Sequence, residues 1–338
     1  MMKGLRKILF PLICLVLSSC NSIDEPVNDR LGNFDALWSF VDTHYCFFNQ
    51  KNIDWNEIGD RYRVKVGACK TQQDLFALMA EMLDELKDGH VNLSSWFATS
   101  YYRKWWSDYP QNYNERIVQE NYLHFSYRTV GAVDYGMLPE SNIGYMRYPS
   151  FSYGIGEGNL DAVFNYLALC PGLIIDVRDN GGGELTNVET IVSRFIREPI
   201  VAGYIMHKTG PGHDEFSKPF EYTYSPTPGR ILWTKPVVVL TNRSTFSAAN
   251  NFVAIMKTLP GVTIVGDVTG GGSGMPISSE LPIGWGIRIS ACRILDPDGK
   301  DTEWGIEPTE GCRVNMTDSD VAAGRDPIIE LAVDLLTR

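Results

Sequence analysis

Gly172-Leu173-Ile174-Ile175-Asp176-Val177-Arg178-Asp179-Asn180-Gly181-Gly182-Gly183-Glu184 decides how this chain of 338 residues is read. An apolar run too short for a helix ends in a polar triplet and three glycines, the pattern of a buried strand emptying into a loop before a helix. Similar apolar segments lie at Ile143-Tyr148, Val201-His207, Val237-Leu240 and Val262-Val265. Helical spacing intervenes at Leu160-Leu169, Val188-Ile196 and Ala248-Leu259. Alternation of this kind predicts an α/β domain with a largely parallel sheet.

A second junction follows at Leu240-Thr241-Asn242-Arg243-Ser244-Thr245-Phe246-Ser247-Ala248-Ala249-Asn250, where a strand turns through small and polar residues into a helix. A hydroxyl at Ser247 would sit beside unpaired amides and the positive end of the helix dipole, which favour alkoxide-like charge. An ordinary serine cap has the same sequence. The three glycines at 181–183 let amides face a cleft unobstructed, which suits an oxyanion or a phosphate. Neither they nor Gly270-Gly271-Gly272-Ser273-Gly274 fit the dinucleotide fingerprint or a lysine-bearing phosphate loop.

Earlier in the chain the spacing predicts helices between Phe34 and Leu86, with Thr71 and Asp74 as a capping pair. Residues 93–141 are rich in aromatics, among them Trp96, Phe97, Tyr101, Tyr102, Trp105 and Trp106, either packing between domains or a platform for peptide or glycan. Gly210 to Gly229 reads as an exposed hairpin or loop.

The first residues are a leader: Lys3, Arg6 and Lys7 precede the apolar run Ile8-Leu17. Leu17-Ser18-Ser19-Cys20 resembles a bacterial lipobox, which implies acylation of Cys20 and a cell-envelope, membrane-anchored protein, in the outer membrane or at the surface. Loss of the leader removes three of 30 basic residues and none of 41 acidic ones, leaving a formal charge of −14 that argues against nucleic acid as a partner. The remaining cysteines form neither a CxxC nor a regular framework, and no HExxH is present, so neither cysteine chemistry nor a zinc mechanism is expected. The expected organisation is signal 1–19, tether 20–32, helical domain 33–92, aromatic connector 93–141 and α/β core 142–338.

Taken in order, Asp88-Gly89-His90, Ile143-Gly144-Tyr145-Met146-Arg147-Tyr148-Pro149-Ser150-Phe151, Asp176 to Gly182, the Ser247 turn with Gly266-Asp267-Val268-Thr269-Gly270-Gly271-Gly272, and Trp304-Gly305-Ile306-Glu307-Pro308 resemble the C-terminal processing peptidases, the tricorn protease core and the retinoid-binding repeats. The resemblance covers about residues 35 to 315. It implies a spiral α/β core like those of ClpP and crotonase, and a serine peptidase with no cofactor and no metal, acting on peptides or unfolded protein. Ser247 would be the nucleophile, with the amides of Ala248 and Gly182 receiving the oxyanion.

Many such peptidases activate serine with a lysine at the position of Gly272, so that dyad is not expected here. Tricorn-like members carry a histidine where this chain has His90, and a neutral imidazole can take the serine proton. Their third group, a glutamate before the late glycine-proline element, has Glu303 as its nearest match. Residues 91–142 leave too little room for the PDZ domain of most processing peptidases. An inactive ligand- or peptide-binding lipoprotein on the same fold is the alternative.

Overall fold

The computed structural model describes residues 27–338. The leader and Cys20 lie outside the described residues. Among the described residues eleven strands form two sheets. The first orders β2 (Tyr127–Val130), β3 (Val133–Leu138), β4 (Ile143–Arg147), β5 (Leu173–Asp176), β8 (Val237–Thr241) and β9 (Val262–Gly266). Its last four strands are parallel, as the alternation requires, and β2 and β3 add an antiparallel edge.

Every residue of β5 and β8 is buried, since helices cover both faces. Helices Glu157–Tyr166, Leu185–Val192 and Ala248–Thr258 pack with one face through Val163, Val188, Ile191 and Phe252. Pro327–Thr337 covers the other through Ile328, Ile329 and Ala332. Ala248–Thr258 is buried along nearly its whole length, which fixes its first turn rigidly against the end of β8.

The second sheet is antiparallel and departs from the expectation of one largely parallel sheet. It joins β1 (Asn92–Ser94), β11 (Gly286–Leu295), β6 (Ile200–His207) and β7 (Phe220–Tyr224), with β10 (Gly274–Glu280) also paired to β11. The Val201-His207 segment is thus a strand of this sheet. The 210–229 segment, expected as an exposed hairpin or loop, closes the antiparallel pairing of β6 with β7.

Helices Arg30–His44, Trp55–Arg63 and Gln72–Asp84 form where helical spacing predicted them. Thr71 caps the last of these, its hydroxyl accepting from the Asp74 amide at 3.1 Å while Asp74 accepts from the Thr71 amide at 2.9 Å. These helices do not close a core of their own. Phe34, Leu37, Phe48, Trp55, Leu75 and Met79 share one cluster with Trp285, Ile287 and Ile289 of the β10–β11 region. Burial of this shared core holds the helices against the second sheet. The aromatic connector supplies β1 to one sheet and β2 and β3 to the other.

Candidate active site

The turn after β8 holds Ser247 at φ 58° and ψ −122°, a conformation that costs a non-glycine residue on the order of 1–3 kcal/mol. Its surroundings impose it. The Phe246 amide donates to the Asn180 carbonyl at 3.0 Å, the Ser247 amide to the Gly271 carbonyl at 2.8 Å, and the Asn251 amide to the Ser247 carbonyl at 3.0 Å. Ser247 stands at the cap position of the helix, yet its side chain makes no capping bond. Its Oγ lies 2.9 Å from His90 Nε2. That contact separates Ser247 from an ordinary helix cap.

His90 is 4% exposed and comes from the loop between helix Gln72–Asp84 and β1. Its amide donates to Asp88 Oδ1 at 2.8 Å, and its ring packs on Phe246 with centroids 4.7 Å apart. Burial pushes the imidazole pKa down to about 4, against the opposing charge of Asp88, so the ring is neutral near pH 7. With Nε2 accepting from Ser247, Nδ1 carries the proton. Nδ1 is buried and has no hydrogen-bond partner among the described residues.

Glu303 therefore does not orient His90 by a hydrogen bond, as the sequence comparison had implied. Its carboxylate is taken by Lys51 Nζ at 2.8 Å and by the Ser273 amide at 2.9 Å. Lys51, from the short helix Phe48–Lys51, is the residue that sequence reasoning missed. Its side chain is 2% exposed, its ammonium also donates to the carbonyls of Leu86 and Lys87, and Asp88 Oδ2 is 3.8 Å away. Asp88 accepts from Tyr45 and Ser290 as well. Burial would raise the Asp88 pKa, but the charge of Lys51 and hydrogen bonds from the His90 amide and the Ser290 hydroxyl hold it low. Burial and the Asp88 charge push Glu303 up to about 7, with Lys51 opposing. Short hydrophobic segments around Lys51 gave no signal of this role, because only the folded chain brings it to Glu303.

The glycine loop after β5 is held by side chains of the polar triplet. Buried Arg178 bonds Asp176 at 2.6 Å and Asp326 at 2.8 Å, and Asp176 also accepts from Tyr145. Asn180 Oδ1 accepts from the amides of Phe151 and Gly182, the latter at 3.0 Å. Gly182 thus differs from its expected role, since its amide is already engaged. A Cβ on Gly182 would come within 2.7 Å of Ser247 Cβ, so this glycine provides close approach. The amides of Gly183 and Ala248 make no hydrogen bond among the described residues. Both residues line a cavity of about 70 Å³ together with Ser247, Asn251, Met275 and Ile294.

Gly272 has φ 77°, and a Cβ there would meet the Phe246 ring at 2.3 Å. Trp105 stacks on that Phe246 ring at 4.2 Å, and a Cβ at Gly270 would meet Trp105 itself at 2.4 Å. Residues that the sequence placed in a catalytic group fall into two sets. Ser247, His90, Ala248 and the glycine run converge, and Glu303 lies beside them within a separate ion-paired cluster.

Comparison with known proteins identifies the class to which this fold and site belong. Residues 142–311 match the model of peptidase family S41 and residues 26–84 match the tricorn protease C1 domain, and the chain belongs to family S41. A solved structure from Parabacteroides merdae, described as a peptidase, is 48% identical, covers 90% of this chain and 96% of its own, and superposes with a TM-score of 0.86. The carboxy-terminal processing protease CtpA of Bacillus subtilis is 28% identical over 179 residues, 52% of this chain and 36% of CtpA. The chain spans between about a third and just under a half of the length of the curated relatives it matches. Mature CPAF shares the fold, with a TM-score of 0.69 at 12% identity over 91% of this chain and 96% of that one.

Proposed function

We propose that this chain is a serine peptidase that cleaves peptides or unfolded protein segments through an acyl-enzyme. The 2.9 Å contact between Ser247 Oγ and His90 Nε2 carries this reading, because it joins a strained hydroxyl to a neutral buried base. His90 takes the serine proton as Oγ attacks the carbonyl carbon. The developing oxyanion turns toward the amides of Ala248 and Gly183, at the positive end of helix Ala248–Thr258. His90 then gives its proton to the leaving amine, and water repeats the sequence to release the acyl group.

The test is a fluorophosphonate probe. Labelling at Ser247 that vanishes in Ser247→Ala and falls sharply in His90→Ala supports the reading, and an unlabelled, well-folded protein overturns it. Two observations favour the inactive binder as the second reading: Nδ1 of His90 meets no acceptor among the described residues, and the Gly182 amide is engaged. Such a protein would bind peptide without turnover.

The lipobox-like Leu17-Ser18-Ser19-Cys20 supports a cell-envelope location with Cys20 acylated. Incorporation of labelled palmitate in the producing bacterium, lost in Cys20→Ala, checks it.

A further inference from the structure

We infer that Arg243 and the aromatic connector form a carboxylate-binding subsite on the leaving-group side of Ser247, an assignment that rests on the serine peptidase reading for its place in the reaction. A cavity of about 160 Å³ lies there, lined by Lys87, Tyr102, Lys104, Trp105, Tyr109 and Arg243. It also touches Gly89, next to His90, and Phe246, next to Ser247. Because His90 delivers a proton to the leaving amine, the departing C-terminal portion of the substrate lies on the histidine side. The smaller cavity at Gly183 and Ala248 is left to the acyl portion.

Arg243 gives this cavity its chemistry. It is 8% exposed, and among the described residues its guanidinium donates only to main-chain carbonyls, those of Trp105, Thr269 and Trp304. It lies over the Tyr109 ring at 4.5 Å. Among the described residues the other two buried arginines each meet two carboxylates, Arg178 with Asp176 and Asp326, and Arg194 with Glu157 and Asp161. Arg243 pairs with none, and its Nη2 makes no protein hydrogen bond. Glu303 is the carboxylate on the cavity wall, but both its oxygens are held by Lys51 and Ser273.

A buried guanidinium without a counter-ion is a site for an anion, and two exposed lysines at the rim reinforce the sign. The anion is a carboxylate of the substrate, either its C-terminus or an acidic side chain. Capture of the terminal carboxylate would fix cleavage a short distance from the chain end without a PDZ domain.

Binding to the Ser247→Ala protein tests this separately from catalysis. Fluorescence polarisation compares one labelled peptide as free acid, as C-terminal amide, and as an amide bearing a terminal glutamate. The free acid should bind about 10-fold or more tightly than the plain amide. Lys104→Met and Arg243→Lys should each weaken the free acid more than the amide and so narrow that ratio, whereas a purely structural role would weaken both peptides alike.

Tight binding of the glutamate amide assigns the carboxylate to a side chain and keeps the subsite. Equal affinity for all three, or no binding of any at millimolar concentration, overturns it. Probe labelling of the unmutated protein reads the peptidase assignment independently, so either conclusion can fail alone.

Discussion

Lys51 Nζ lies 2.8 Å from Glu303 Oε1, and both side chains are almost wholly buried, at 2% and 5% exposure. Removing the ammonium leaves Glu303 and Asp88 facing each other in a low-dielectric site. Lys51→Met is therefore expected to cost about 3–5 kcal/mol in urea unfolding. The double variant Lys51→Met with Glu303→Gln should recover part of that loss, and a double-mutant cycle measures the coupling. Additive single effects would show that the two groups do not depend on each other.

Two pKa displacements set the acid side of the rate profile. With the imidazole at about 4, kcat/KM should rise through that pH as His90 becomes able to accept a proton. A second rise is expected near 7, where Glu303 ionises and adds negative charge beside the site at which imidazolium forms. Glu303→Gln should abolish the second rise and leave the first.

The same groups pull stability in opposite directions. His90 has a folded pKa below its unfolded one, so its contribution is present above about 6.5 and is lost as pH falls toward 4. Glu303 has a raised folded pKa, so its contribution is present below about 4.5 and is lost as pH rises through 7. Unfolding at pH 5.5 and 8 should show a smaller alkaline loss in Glu303→Gln than in the unmutated protein.

Ser247 holds a φ of 58° that glycine tolerates and alanine does not. Ser247→Gly should therefore be more stable than Ser247→Ala by about 1 kcal/mol, although both lack the hydroxyl. Thermal unfolding of the two variants decides it, and equal midpoints would mean that the turn relaxes.

Gly272→Ala would drive a methyl into the Phe246 ring, which also supports His90. A displacement of about 1 Å there is expected to lower kcat/KM about 100-fold with little change in overall fold. Circular dichroism and probe labelling together distinguish this from unfolding.

The parallel strands and the Ser247 junction were legible because both are local: an apolar run, a turn, then helical spacing. His90 was legible only through its place in Asp88-Gly89-His90, since a lone histidine carries no directional information. The antiparallel sheet escaped reading although Ile287-Arg288-Ile289 alternates, because alternation in one short segment does not name its partners. Lys51 and Arg243 escaped for a related reason. Whether a cation is paired depends on carboxylates brought from far along the chain. The engagement of the Gly182 amide was equally hidden, for it turns on which way Asn180 points.

The shared core of the early helices and the β10–β11 region makes assembly of the Ser247–His90 pair a late event in the life of the chain. Ser247, its supporting glycines and the covering strands are all synthesised after His90 and Lys51, and Trp285 must close onto Phe76 before those helices are secured. A ribosome-bound fragment ending before the β10–β11 region would hold the hydroxyl and the imidazole without the contacts that seat one against the other. The meeting of Ser247 and His90 thereby waits on strands that leave the ribosome last.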